Sequence, residues 1–199
     1  MKSFLHVGCG QKRKNQTTVG FNTDEWNEIR FDINESYQPD LIGTMTDMHT
    51  VESDSMDALY SSHNIEHLYP HEVKIALKEF LRVLKPDGYA VITCPDIKSV
   101  CALVAEDKLT DTAYESISGA ITPLDILYGR GSWIAEGNLY MAHKTGFTAK
   151  TLSAELQQAK FASVGVAVKR ESFFNLWAVA SKKPMERDAL ISLMKHHGI

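Results

Sequence analysis

The chain is short of most features that announce a function. Three cysteines, Cys9, Cys94 and Cys101, stand among 199 residues. Their odd number and irregular spacing support neither a disulfide framework nor a metal cluster, and Cys94 and Cys101 read as small buried apolar residues. Such sparse usage suits a reducing cytoplasm. Charge of one sign is lacking too: the formal net charge is −4, without long charge runs, which leaves no footprint for nucleic acid or an anionic membrane. No apolar run approaches the roughly 18 residues needed to cross a bilayer. The apolar stretch after Lys2 is too short for a secretory signal, so none is expected. Internal repeats and low-complexity segments are absent.

What is present is an apolar content of 44%, enough for one ordinary domain with a full core. Strand-like runs at 3–8, 29–33, 40–44, 57–62, 88–94, 163–169 and 175–181 alternate with helical ones, which predicts an α/β sheet. The clearest helix is 71–84, where Val73, Ala76, Leu77, Phe80, Leu81 and Leu84 form one stripe. Lys85-Pro86-Asp87-Gly88 stops it and turns the chain into the next strand. A second helix is expected over about 149–160. Residues 11–28 show no helical period and read as loop. Residues 108–147 are too long for a simple connection and read as a functional insertion or lid. The domain is expected to end near 183. The tail 184–199 then forms a short helix, with Leu190, Leu193 and Met194 on one face, that docks on its own domain or contacts a second copy in a homodimer.

The first strand breaks into Gly8-Cys9-Gly10, and Asp32 follows in the next apolar run. A strand ending in a glycine turn, with an acid about 20 residues on, is the layout of an adenosine-type cofactor site. Glycine lets the backbone approach the ligand closely. A carboxylate at the neighbouring strand tip offers acceptors to a ribose diol.

Four segments together resemble the class I S-adenosylmethionine-dependent methyltransferases of the type 11 kind. They are Leu5-His6-Val7-Gly8-Cys9-Gly10, Phe31-Asp32-Ile33, the run from Asp57 through Glu66-His67-Leu68, and Phe80-Leu81-Arg82-Val83-Leu84-Lys85-Pro86-Asp87-Gly88. Asp87 replaces a glycine of the family's last pattern, and Thr145-Gly146-Phe147-Thr148 resembles its C-terminal half. The resemblance implies a Rossmann-like, doubly wound, seven-stranded and mostly parallel sheet whose last strand is antiparallel, here with a first crossover that is mostly loop. It also implies S-adenosylmethionine as cofactor, with S-adenosylhomocysteine as product. Val7, Gly8, Cys9 and Gly10 would pass under the cofactor, Asp32 would take the ribose hydroxyls, and Ile33 would lie against adenine. Asp47 would accept the adenine amino group and Met48 would cover the ring. Ser62 and His63, at the fourth strand's tip, would face the sulfonium. The chain departs from the family at His6, where an acid is usual, and at Lys12, where a third glycine is usual. Lys12, Arg13 or Lys14 could then hold the cofactor's carboxylate.

His63 and His143 are the candidate bases, since imidazole titrates near neutral pH. The region around Tyr128 and Asn138–His143 suits a small-molecule or carbohydrate-type acceptor pocket. His63-Asn64-Ile65-Glu66-His67 also fits a zinc-peptidase pattern, but that chemistry needs a continuous helix. Here a strand precedes the pattern and Pro70 follows it, so no metal site is read from it and His67 is taken as structural. Two other readings stay open: a non-catalytic cofactor-binding subunit of a larger complex, and a nicotinamide dehydrogenase. The latter would need a glycine where Arg13 stands.

Overall fold

The computed structural model describes residues 1–116, 119–169 and 174–199. Residues 117 and 118, inside the segment read as an insertion, lie outside the described part. Among the described residues nine strands run in chain order: β1 Lys2–Val7, β2 Trp26–Asp32, β3 Leu41–Ile42, β4 Met56–Ser62, β5 Leu84–Pro95, β6 Tyr114–Ser116, β7 Gly119–Ile121, β8 Ser163–Lys169 and β9 Asn175–Ser181. Six helices accompany them: α1 Pro70–Val83, α2 Ile97–Ala105, α3 Pro123–Tyr128, α4 Gly131–Ala135, α5 Ala149–Gln158 and α6 Arg187–His196. Seven strands form one sheet in the order β3-β2-β1-β4-β5-β9-β8, and β6 and β7 form a separate hairpin. Within the seven-stranded sheet β9 runs antiparallel to both β5 and β8, while the other pairings there are parallel. The implied seven-stranded, mostly parallel sheet with an antiparallel last strand is therefore the observed one.

The first crossover between parallel strands contains no α-helix, only a single 3-10 turn at Lys14–Gln16. α1 starts on Pro70, whose missing N–H costs nothing at that position, and Glu72 accepts a hydrogen bond from the Tyr69 amide at 2.8 Å. Its expected last residue, Leu84, is instead the first residue of β5, paired with Met56. β3 shrinks to two residues because the chain turns away at Gly43. Cys101 is exposed on α2 rather than buried; its neighbours Ser99 and Val100 are the ones that face inward.

Alternation along the strands feeds two cores. Leu5, Val7, Leu59 and Ile92 face one side, covered by Val73, Leu77 and Phe80 of α1 and Leu152 and Leu156 of α5. Phe4, Ala58, Tyr60, Val91 and Val179 face the other. The first crossover has no helix to cover that second face. Phe21 from the loop fills the space instead, its ring stacked on Phe4 at 4.4 Å and edge-on to Trp26 at 5.1 Å. The tail completes the cover: Leu190, Leu193 and Met194 of α6 pack against this same core. That apolar face packs on its own sheet, the first of the two readings of the tail. His197 is buried behind α6, with Nδ1 2.6 Å from Thr18 Oγ1 and Nε2 3.0 Å from Tyr89 Oη. No helix among the described residues is long and apolar enough to cross a membrane.

Two outcomes follow. Phe21→Ala removes a fully buried ring, and urea unfolding should show a loss of about 3–5 kcal/mol. Burial, with His196 alongside, pulls the His197 pKa from 6.5 down to about 4. The unfolded chain then binds more protons than the folded one between those values, so stability falls as pH drops through that window. The loss contributed by His197 should be on the order of 2 kcal/mol, and His197→Asn should flatten that part of a stability-versus-pH curve.

Candidate active site

At the C-terminal end of β1 the backbone reverses through two glycines of positive φ, +62° at Gly8 and +52° at Gly10. The Gly8 and Cys9 amides both donate to the Phe31 carbonyl, at 2.8 and 3.3 Å. A Cβ at Gly8 would stand 2.1 Å from Asn64 Oδ1. Asn64 needs that room, because its amide donates to the Val7 carbonyl at 3.0 Å, the Ser62 carbonyl at 3.1 Å and Ser61 Oγ at 3.3 Å. It laces the ends of β1 and β4 together. Over Gly10, by contrast, a Cβ would meet nothing within 4 Å, which leaves that side of the turn open to a ligand.

β2 holds the turn from beneath. Asp32, 6% exposed, accepts hydrogen bonds from the Gly10 amide at 2.8 Å and the Asn34 amide at 2.9 Å. Arg30 is wholly buried, and its guanidinium donates to the carbonyls of Gly10, Gln38 (2.7 Å) and Tyr37 (3.2 Å). The Gly10 peptide is therefore gripped at its N–H by Asp32 and at its carbonyl by Arg30. Sequence reasoning missed Arg30 and Asn64. A lone arginine inside an apolar strand was their one available signal, and its partners are all backbone.

The positions that depart from the family also have partners. His6 is buried with Nδ1 2.6 Å from Glu28 Oε1, and Glu28 Oε2 accepts the Lys14 amide at 2.9 Å. Lys14 Nζ donates to the carbonyls of Thr23 and Trp26 at 2.8 and 3.0 Å. Lys14 thus fastens the loop, while Lys12 and Arg13 are exposed. Burial pushes the Cys9 thiol up to about 11, so it stays protonated, and only its backbone lies in the turn.

Ile33, next to Asp32, is 46% exposed, an apolar surface at the strand tip. Asp47 and Met48, expected to accept the adenine amino group and to cover the ring, differ in exposure. Asp47 is 64% exposed and bonds to His49. Met48 is completely buried in the core, its amide donating to Glu79 at 2.9 Å, and offers no surface to a ring. The residues that directly follow β3 are Gly43, Thr44 and Met45, and Gly43 donates to the Asp32 carbonyl at 3.0 Å. The intervening turn, with Asp47 donating to the Thr44 carbonyl, carries Asp47 and Met48 past the strand tip.

Beyond β4 the chain makes one 3-10 turn, Ile65–His67, as the short spacing to Pro70 requires. His63 sits at its start in a left-handed conformation, φ +56°, its amide bonded to Thr93. A cavity of about 270 Å³ opens here. His63, His67 and Pro95 form one wall, and Tyr114, Ile126, Arg130, Trp133 and His143 of the 108–147 segment form the other. That segment is clasped to the sheet where Lys144 and Thr145 donate to the Glu66 carbonyl at 2.8 and 3.2 Å. Both candidate bases thus line one cavity.

Under its floor lies Glu66, 1% exposed. One oxygen stands 3.2 Å from His63 Nδ1, yet neither oxygen accepts a well-aligned hydrogen bond. Burial opposes its charge, but the His63 contact and the nearby His67 and His143 outweigh it and hold the carboxyl below its ordinary range. Burial pushes His143 below the usual histidine range against the pull of Glu66. His67 Nδ1 lies 3.2 Å from the Ala142 carbonyl and His143 Nδ1 lies 2.7 Å from the Ile126 carbonyl. A ligating atom from each of Glu66, His67 and His143 falls within 4.8 Å of the others.

Parallel strands converging on a glycine turn, an acid at the adjoining tip and a final antiparallel strand define the Rossmann-like methyltransferase fold. Residues 5–92 match the family model described as a methyltransferase domain. That match runs from β1 and the glycine turn through Asp32 and α1 into β5, the parallel strands of this sheet. No curated protein matches it. Among solved structures, a Methanosarcina mazei S-adenosylmethionine-dependent methyltransferase is similar at 16% identity and TM-score 0.60, over 92% of this chain and 93% of that one. The Burkholderia thailandensis 1,6-didemethyltoxoflavin-N1-methyltransferase, solved with bound 1,6-didemethyltoxoflavin and S-adenosylhomocysteine, is similar at 14% identity and TM-score 0.56, over 92% and 71%. A Haloferax volcanii methyltransferase complexed with the Trm112 activator is similar at 14% identity and TM-score 0.53, over 92% and 83%.

The two glycines should respond differently to alanine. Gly8→Ala must displace Asn64 and should cost about 2–4 kcal/mol. Gly10→Ala carries only the left-handed penalty of about 1–2 kcal/mol. Chemical denaturation of both variants checks the contrast.

Proposed function

We propose that the protein methylates a small-molecule acceptor held between the 108–147 segment and the tip of β4. The observation that carries this reading is the cavity beside His63, at the same end of the sheet as the glycine turn and Asp32, where open α/β sheets place their ligands. The acceptor pocket of such an enzyme needs an enclosed wall next to the cofactor, and the 108–147 segment supplies one.

The residues present fit an adenosine cofactor. Space is open over Gly10, and each Asp32 oxygen, having accepted one amide, keeps a lone pair for a ribose hydroxyl. Ile33 supplies an apolar face for adenine, and Thr44 and Met45 take the positions first assigned to Asp47 and Met48. Lys12 and Arg13 are left to reach the cofactor's carboxylate. When bound, S-adenosylmethionine supplies a methyl group already activated on a sulfonium. The protein then has to hold the acceptor in line and keep water out. Ser62 and His63 border the methyl position, and His63, held by Glu66, receives the acceptor's proton. His143 orients the acceptor from the opposite wall. The altered glycine loop that motivated a non-catalytic subunit has its own supports in Arg30, Asp32 and Lys14, which favours the catalytic reading.

Calorimetry with S-adenosylhomocysteine tests the cofactor site. The wild type should bind it and NAD should not bind. Asp32→Ala should weaken binding at least about tenfold, near 1.4 kcal/mol, and Lys12→Ala with Arg13→Ala should weaken it further. Transfer of a labelled methyl group should go to a low-molecular-weight fraction. His63→Ala should lower that turnover about 100-fold with cofactor affinity unchanged. Absence of S-adenosylhomocysteine binding by the wild type would sink the reading.

A further inference from the structure

We propose that Glu66, His67 and His143 form a binding site for one divalent transition-metal cation at the floor of the acceptor cavity. The buried Glu66 carboxylate is the first reason. A carboxylate removed from water normally collects hydrogen bonds, because leaving its lone pairs empty is costly. Here the side chain is 1% exposed, and apart from His63 Nδ1 at 3.2 Å from one oxygen, outside hydrogen-bond alignment, neither oxygen has a partner. A group in that condition has the chemistry of a ligand.

The second reason is the orientation of the histidines. The carbonyls of Ala142 and Ile126 lie 3.2 and 2.7 Å from the Nδ1 atoms of His67 and His143. Each carbonyl needs an N–H opposite it, which fixes the Nδ1-protonated tautomer and leaves Nε2 with its lone pair. Metal-bound histidines are oriented by just this kind of outer hydrogen bond. The rings themselves pack edge to face, 4.9 Å between centres. With ligating atoms of all three residues inside 4.8 Å, a small inward shift of side chains completes a cluster.

The ligand set identifies the cation class. Two imidazoles and one carboxylate suit zinc, iron(II) or manganese(II), whereas magnesium and calcium favour oxygen donors throughout. Three protein ligands leave a coordination position open, and His67 and His143 line the cavity. The open position therefore faces the acceptor. Resting on the methyltransferase reading, this adds that the acceptor presents an oxygen donor, a hydroxyl that binds the cation there and is polarised by it. The cation site itself stands without that reading.

The peptidase-like pattern at residues 63–67 contributes only its Glu and second His. Its first His contacts Glu66 from the side, and the third ligand arrives from the 108–147 segment. The site is consequently unlike a helical peptidase centre.

The test uses the full chain, stripped with a chelator and titrated with Co²⁺. One equivalent should bind with a visible absorption band, and Zn²⁺ should abolish the band by displacement. His143→Ala and Glu66→Gln should each weaken Co²⁺ binding by at least about 100-fold. His49→Ala, which removes an exposed histidine paired with Asp47, should leave it unchanged. Glu66 is buried and its variant is the one that could misfold. His143→Ala, checked for a native melting transition, then decides. S-adenosylhomocysteine binding is measured on the same samples. No stoichiometric Co²⁺ uptake by a wild type that binds S-adenosylhomocysteine overturns the cation site and leaves the methyltransferase reading intact. Uptake that survives in His143→Ala and Glu66→Gln overturns the ligand assignment.

Discussion

The grip on the Gly10 peptide is the constraint on which the functional end of this molecule depends. A glycine turn in this class of sheet must stay open towards the ligand while its own backbone groups stay satisfied. Where a crossover helix follows the turn, helical hydrogen bonds can do this. Here the crossover is loop, and side chains from β2 take over. Asp32 receives the Gly10 N–H and Arg30 donates to its carbonyl. Arg30 also binds the carbonyls of Tyr37 and Gln38, so the turn after β2 and the turn after β1 are fastened to one guanidinium. Arginine suits this role because its planar fork offers several donors in fixed directions.

The missing helix has a second consequence on the opposite face of the sheet. A face carrying Phe4, Tyr60 and Val91 cannot be left to water. Phe21 covers part of it from within the loop, and the C-terminal α6 covers the rest. Gly20 and Gly165 allow that contact: a Cβ at Gly20 would stand 2.6 Å from His197 Nδ1, and one at Gly165 would stand 2.6 Å from Met194 Sδ. The tail is therefore structural. Its buried His197 joins Thr18 of the loop to Tyr89 of β5, tying the two substitutes for a helix to each other.

On the acceptor side, the organising fact is the meeting of two distant pieces of chain. The 3-10 turn after β4 contributes His63, Glu66 and His67. The end of the 108–147 segment contributes His143, and its backbone is bonded to the Glu66 carbonyl through Lys144 and Thr145. This clasp places a buried carboxylate, three imidazoles and a cavity wall in one small volume. In the proposed function, cofactor and acceptor would use different elements that meet at the tips of β1 and β4, where Asn64 links them.

Much of the fold was legible in the sequence, for reasons of period. Apolar residues at three- and four-residue spacing marked α1, and the expected strand runs fell within a few residues of their true bounds, although Lys85-Pro86-Asp87-Gly88, read as a turn, belongs to β5. The glycine turn and Asp32 were legible because they are local chemistry at a fixed spacing. The loop character of 11–28 was legible because no apolar stripe runs through it. Several things were not. Arg30 and Asn64 act on backbone atoms that no residue pattern encodes. Met48 lies wholly in the core, which its residue type and position alone did not show. Cys101 faces outward because α2's inward face is set by packing, and the meeting of Glu66, His67 and His143 depends on a contact between segments far apart in the chain. The sequence alone determined the main elements and their order, since these follow from local periodicity. Tertiary structure alone decided what holds the turn, what covers the bare face and which side chains share the cavity, because each depends on distances between residues remote in the chain.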